Sequence, residues 1–258
     1  MENAELIAEA KFEGGDLLNQ PMPLEDIGEV AFGLSKALRK TIAQQSPVLA
    51  RIRELTIPTI LNTGSLHIGI PANIGSLVLL TTAKGERCTL DAFLEKANNG
   101  ELPGMNPYPT TAQDIFKHTF SHLNHLVRYI AHVGGFQMEP LSVEYLDDHK
   151  TAVVTNAEQH IAEFPRKVVE LVPKTPPDLF NGMAKVIHGG RTCCFHVAGL
   201  PAPTGCITAI NRSLFYDDSL GELMFPELLD GETVTLKGAI RFLNESTNRL
   251  GLEYNDHF

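Results

Sequence analysis

The sequence predicts an α+β fold, an antiparallel sheet with packed helices followed by a smaller C-terminal β-rich unit. Three observations carry this reading. Alternating segments near the start and at 54–71 have the period of half-buried strands. Segments 24–43 and 111–133 repeat their apolar residues at helical spacing. Alternation then returns at 234–254 on both sides of a polar turn. Strands joined by tight turns rather than long crossovers point to antiparallel pairing. Two units are predicted: 1–135, closed by a long histidine-bearing helix, and 136–258, closed by a β-hairpin.

In the first strand Leu6, Ala8, Ala10 and Phe12 share one face, and Glu5, Glu9 and Lys11 the other; Gly14-Gly15-Asp16 ends it. The first helix follows, with Leu24, Ile27, Ala31, Leu34, Leu38 and Ile42 in register. Pro23 suits its first turn, Glu25 and Asp26 suit the positive end of its dipole, and Pro47 lies past its end. Segments 54–61 and 65–71 are predicted to pair as a hairpin around Asn62-Thr63-Gly64, with the helix packed on them and Ile57 and Ile68 buried. A short helix is expected at 89–97 and a loop at 98–109. A long helix spans 111–133 and stops at Gly134-Gly135. Residues 140–155 read as two strands around Asp147-Asp148, 156–171 are ambiguous, and 178–188 suit a short helix. In the tail Val234, Leu236, Ile240 and Phe242 alternate, 244–248 turn, and Leu250, Leu252 and Tyr254 alternate on the return.

Composition narrows the function classes. The 258 residues, 43% hydrophobic and 20% charged, suffice for a sizeable core and exclude disorder. The net charge of −10, without a basic run, disfavours nucleic acid. MENAELIAEA lacks the basic and apolar regions of an export signal. The most apolar stretch, 57–80, is interrupted by Pro58, Asn62, His67, Pro71 and Asn73, so it is not read as a membrane span. Cys88, Cys193, Cys194 and Cys206 have no secreted-framework spacing. All four are expected as free thiols in a reducing, cytoplasmic compartment.

The stretch Phe12-Glu13-Gly14-Gly15-Asp16, with the helix and the Gly64-Ser65-Leu66 hairpin after it, resembles the N-terminal α+β domain of an uncharacterised bacterial protein family. The tail from Val234 to Arg241 and from Asn244 to Tyr254 is similar to that family's C-terminal β-rich domain. The resemblance implies a bacterial protein, carries over neither an activity nor catalytic residues, and leads to the expectation of further strands beyond Phe258.

Two clusters are candidates for chemistry. On the 111–133 helix His118, His122, His125 and His132 fall within a sector of roughly 80° at 100° per residue, with Asp114 and Ser121. Phe116, Phe120, Leu123, Val127 and Ile130 lie opposite. Spacings of four and three suit a shared metal such as zinc on His118, His122 and His125, with Asp114 completing or orienting the shell. The alternative is a solvated or partner-contacting stripe that includes His132; no HExxH supplies a metallopeptidase base. The second cluster is His188-Gly-Gly-Arg-Thr-Cys193-Cys194-Phe-His196, with Cys206 beyond. Alternation puts Thr192, Cys194 and His196 on one face and Cys193 and Phe195 on the other. A thiol nucleophile or metal site is weighed there against buried cysteines acting as small hydrophobes. Gly14-Gly15-Asp16 reads as a turn rather than a phosphate loop, and the acidic residues of 217–232 as a solvated loop.

The expected function is a non-enzymatic binding or assembly protein of the bacterial cytoplasm, acting through a protein partner or its own oligomer, with no cofactor. The alternatives are a metal-dependent hydrolase built on the histidine helix, and a nucleotide or single-stranded nucleic-acid binder using the C-terminal β unit. In that unit Lys237, Arg241 and Arg249 are outnumbered by acids.

Overall fold

The computed structural model describes residues 6–18, 22–45, 54–56, 60–62, 66–82, 85–99, 111–136, 138–146, 150–199, 204–216, 239–244 and 249–253. The chain divides into two compact units, Met1–Tyr216 and Asp217–Phe258. The first contains β1 (Leu6–Gly14), α1 (Leu24–Gln45), β2 (Glu54–Thr56), β3 (Ile60–Asn62), β4 (Leu66–Pro71), α2 (Ile74–Leu77), β5 (Leu79–Thr81), β6 (Arg87–Thr89), α3 (Leu90–Asn98), α4 (Ala112–Val133), β7 (Ser142–Tyr145), β8 (Thr151–Thr155), β9 (Ile161–Pro165), α5 (Arg166–Leu171), α6 (Asn181–Lys185), β10 (Arg191–Val197) and β11 (Cys206–Thr208). The second contains the antiparallel hairpin β12 (Ala239–Asn244) and β13 (Arg249–Glu253). The fold class is α+β, with antiparallel sheets and packed helices, as the sequence predicts.

The main sheet has the order β11-β10-β1-β4-β3, all antiparallel. Its centre joins the two ends of the first unit: Ala8 pairs with Val197 and Gly14 with Arg191. This pairing is why the chain does not divide at the expected boundary, 135/136. Two three-stranded sheets, β2-β5-β6 and β7-β8-β9, complete the unit.

Alternation in β1 sends Ala8, Ala10 and Phe12 into the core and leaves Glu9, Lys11 and Glu13 half-buried on the other face. The core face of β1 and β10 receives α4. That helix begins at a capping box in which Thr111 accepts from the Asp114 N–H and Asp114 accepts from Thr111. It ends at Gly134, whose φ of +90° only glycine adopts readily. Helix α1 packs chiefly on α4 and α6, so α4 rather than α1 covers the sheet, contrary to expectation. The expected hairpin is half right. Strand β3 pairs with β4, Ile60 opposite Gly69 and Asn62 opposite His67. Residues 54–56 instead pair with β5. Pro58 between them has no N–H to sustain one continuous ladder. Ile68 is buried; Ile57 and the turn at 63–65 lie outside the described residues, as does the acidic segment 217–232.

Where β1 ends, Gly14 and Gly15 cross Gly189 and Gly190, all four at positive φ. A Cβ on Gly14 would stand 2.8 Å from the Gly190 carbonyl oxygen, and one on Gly15 would overlap the Gly189 carbonyl. The GGD motif is therefore a close backbone crossing.

Candidate functional site

The histidine helix does not present its imidazoles to solvent as one stripe. His118 is exposed, but His122 is only 5% exposed, and His125 and His132 are half-buried. The reason is that α4 is enclosed from both sides: β1 and β10 cover one side, and α5 and β9 pack on it as well. Ile115, Leu126, Tyr129 and Val133 extend its buried surface around His122. The Nε2 of His122 has no hydrogen-bond partner among the described residues. Burial, then the charges of Lys167 and His125, push its pKa down to about 4. Burial, then Arg128, also lowers the pKa of His125, whose Nδ1 accepts from Arg128 at 3.3 Å. His132 donates through Nε2 to the Val154 carbonyl at 3.1 Å and lies 5.6 Å from the Phe164 ring. Asp114 is engaged by Thr111, whose side-chain and then backbone hydrogen bonds hold the carboxyl below its usual range. The proposed shell of His118, His122, His125 and Asp114 is thus not assembled, and Lys167 and Arg128 would repel a cation there. Among the described residues no three His, Cys, Asp or Glu side chains are grouped to hold a metal.

The cysteine cluster also departs from expectation. Cys194 and Cys206 form a disulfide, with Cα atoms 4.2 Å apart at directly opposite positions of β10 and β11. The expectation of four free thiols is corrected to two, Cys88 and Cys193. Sequence alone placed Cys194 on the correct strand face, but the pairing needs the β10–β11 register, which local pattern does not carry. Cys193 lies on the opposite face, fully buried, and burial pushes its thiol pKa far up. It behaves as a small hydrophobe.

The disulfide belongs to a polar face of the main sheet. Across β1, Lys11 stands opposite Cys194 on one side and His67 on the other, and Glu9 stands opposite His196. His67 Nδ1 lies 2.7 Å from a Glu9 carboxylate oxygen, and Lys11 Nζ donates to Glu13 at 2.5 Å. The Lys11 hydrogen bond holds the Glu13 carboxyl below its usual range, and the charges of Lys11, His196 and His67 act in the same direction. Glu9 and Lys11 were legible as the polar face of β1; that they meet His67, His196 and the disulfide was not.

His188 sits elsewhere, at the glycine crossing. Arg191, 1% exposed, donates from Nη1 to Asp26 at 2.7 Å and to the Val186 carbonyl at 3.2 Å, with His188 Nε2 3.1 Å away. This ties the first turn of α1 to the start of β10. Along α1, Phe32, Ser35, Lys36, Arg39 and Lys40 line a groove of about 390 Å³. Lys36 is ion-paired to Asp178.

Among the described residues, exposed apolar side chains cluster around β7-β8-β9. Ala152, Val154 and Phe164 face inward, and Phe164 lies 5.2 Å from the Tyr129 ring of α4. The opposite face carries two cross-strand rows, Ser142–Thr155–Ile161 and Glu144–Val153–Glu163. Ile161 is 70% and Leu141 61% exposed; Met138 and Leu146 are exposed on either side of β7, and Tyr145, in the row of Ala152 and Phe164, is exposed at the edge with the Arg166 guanidinium 4.6 Å over its ring. Strand β7 is the sheet's edge, and among the described residues no strand pairs with its outer side. Sequence periodicity found β7 and β8 but left β9 ambiguous, so the surface they form was missed.

No helix among the described residues is long and apolar enough to cross a membrane. Comparison with protein-family models, curated proteins and solved structures finds no match to this chain.

Proposed function

We propose that this chain is a non-enzymatic binding protein whose contact surface is the β7 edge and the outer face of β7-β8-β9. One observation carries the reading: of the ten exposed large hydrophobic side chains among the described residues, five (Met138, Leu141, Tyr145, Leu146 and Ile161) lie on or beside β7 and at the start of β9. Scattered apolar residues are ordinary on a surface, whereas a cluster on an unpaired edge strand is a template for another strand. Charge selects the partner. Glu139, Glu144 and Glu163 are exposed around the patch. Pairing β7 with β7 of a second copy would bring two Glu144 side chains close together, which disfavours self-association. The occupant that fits is an extended segment of a basic protein, with apolar side chains alternating with Lys or Arg.

Fluorescence anisotropy with two labelled peptides, one alternating valine with lysine and one alternating valine with glutamate, tests this on the full chain. Binding of the first peptide only, weakened by salt and by Glu144→Lys with Glu163→Lys, is expected. A photo-crosslinking residue at Ile161 should capture the lysine peptide and one at Ile210, in the turn after β11, should not. Equal binding of both peptides, or crosslinking at both positions, sinks the proposal. So does a sedimentation result showing dimers broken by Leu141→Glu.

A further inference from the structure

We propose that Cys194 and Cys206 form a reversible thiol–disulfide exchange site, in which Cys206 is the sulfur attacked and Cys194 the sulfur that leaves and returns. The first support is placement. Strand β11 is the edge of the main sheet, and Cys206 is the more exposed of the two sulfur-bearing residues, Cys194 being buried. An incoming thiolate therefore meets Cys206 first. The second support is the surroundings of Cys194. Lys11 stands directly opposite it on β1 with its Nζ paired to Glu13, His196 follows two residues on along the same face of β10, and Glu9, whose carboxylate meets His67, stands opposite His196. The Lys11 ammonium favours a thiolate over a thiol, the Glu9 and Glu13 carboxylates oppose it, and a sulfur that leaves as a stabilised thiolate leaves faster. The third support is that opening the bond leaves the fold its other anchors. Strand β11 keeps its ladder with β10, Ile207 stays in the core, and the Gly205 N–H donates to the Asn124 side-chain carbonyl. Cys193, on the opposite face and fully buried, cannot intercept the exchange.

The co-reactant is a dithiol. One of its thiolates attacks the Cys206 sulfur; the new S–S bond forms as the Cys206–Cys194 bond breaks, and the electron pair departs on Cys194. The second thiolate of the dithiol then displaces Cys206. Two electrons and two protons pass to the pair, and the dithiol becomes a disulfide. In reverse, the Cys194 thiolate attacks a mixed disulfide on Cys206 and recloses the bridge. Lys11 touches no reacting partner from outside and acts as a positioning residue for the Cys194 charge.

The test uses the full chain, with dithiothreitol and glutathione disulfide as probes and alkylation read by mass spectrometry. Under native conditions dithiothreitol is expected to open the bond while circular dichroism stays folded. Glutathione disulfide should leave a lasting adduct on Cys206 in Cys194→Ser, and reclose the bridge without lasting adduct in the wild type. In Cys206→Ser the pH midpoint of Cys194 alkylation should lie below that of a free thiol. Lys11→Met should raise that midpoint and Lys11→Arg restore it, slowing and recovering bridge opening by roughly tenfold. A bond that resists dithiothreitol until the chain unfolds makes the bridge a structural staple and overturns the proposal. Adducts that accumulate on Cys194 of the reduced wild type overturn the assignment of the two sulfurs. An alkylation midpoint unchanged by Lys11→Met removes the role of Lys11.

Discussion

Lowering the pH should destabilise this protein through His122, and the size of the effect follows from its surroundings. The imidazole is 5% exposed, its Nε2 has no hydrogen-bond partner among the described residues, and burial pushes its pKa down to about 4. In the unfolded chain an ordinary histidine titrates near 6.5. Between these values the unfolded state binds a proton that the folded state refuses, so stability falls as pH drops from about 6.5 to about 4 and is unaffected above that window. At 1.36 kcal/mol per pH unit the full loss is about 3 kcal/mol, of which about 2 kcal/mol lies between pH 6.5 and pH 5. Half-buried His125, whose pKa is lowered too, adds to the loss in the same direction. The assay is urea unfolding of the wild type and of His122→Leu at pH 7 and pH 5. Leucine removes both the titration and the unpaired nitrogen, so the variant should match or exceed the wild type at pH 7. Its loss between the two pH values should be about 2 kcal/mol smaller than that of the wild type. Equal pH dependence in the two proteins, or a His122 resonance titrating near 6.5 in the folded chain, would refute the reasoning.

Asp26→Asn should cost about 1–3 kcal/mol in urea unfolding, because the buried Arg191 exchanges a charge-assisted hydrogen bond of 2.7 Å to a carboxylate for one to a neutral amide; a wild-type midpoint contradicts this. Two glycine substitutions should move stability in opposite directions. Gly28→Ala, on the exposed side of α1 with open space around it, should stabilise by up to about 1 kcal/mol. Gly15→Ala should destabilise by more than about 1 kcal/mol, since φ is +57° and the Gly189 carbonyl occupies the space; melting curves that rank the pair the other way would show the crossing to be loose. Phe180→Ala should lower stability by about 3–5 kcal/mol, as its buried ring meets Phe136, Phe195 and Phe215. A loss below about 1 kcal/mol would mean the cluster closes over the gap.

What the sequence revealed was local, and what it hid was tertiary. Helices α1, α3 and α4 were legible because their spacing and end residues act within a turn or two: Thr89 and Thr111 cap α3 and α4, and Gly134 stops α4. The alternation of β1 separated Phe12 from Lys11 correctly. The fate of His122 depended on Leu126 and Tyr129, four and seven residues on, and on α5 and β9 covering that side of the helix. A helical wheel weighted only toward the phenylalanine stripe misses them. The β1–β10 and β10–β11 registers join residues by long-range pairing, so neither the disulfide nor the Lys11–His196 face was available from pattern. In β9 the alternation is short and runs straight into α5, which left its period undecided.

The placement of β1 at the middle of the main sheet bears on how the molecule is made. On a ribosome β1 emerges some 180 residues ahead of β10, one of its two neighbours. At roughly 5–20 residues per second that interval is on the order of ten seconds or more. Throughout it the newborn chain holds β1 with at most its β4 side paired, so its Ala8–Phe12 backbone offers an open edge to any other nascent strand. Chains truncated before residue 191 should for this reason require a holding chaperone, and a circular permutant that brings β10 next to β1 should fold faster than the natural order.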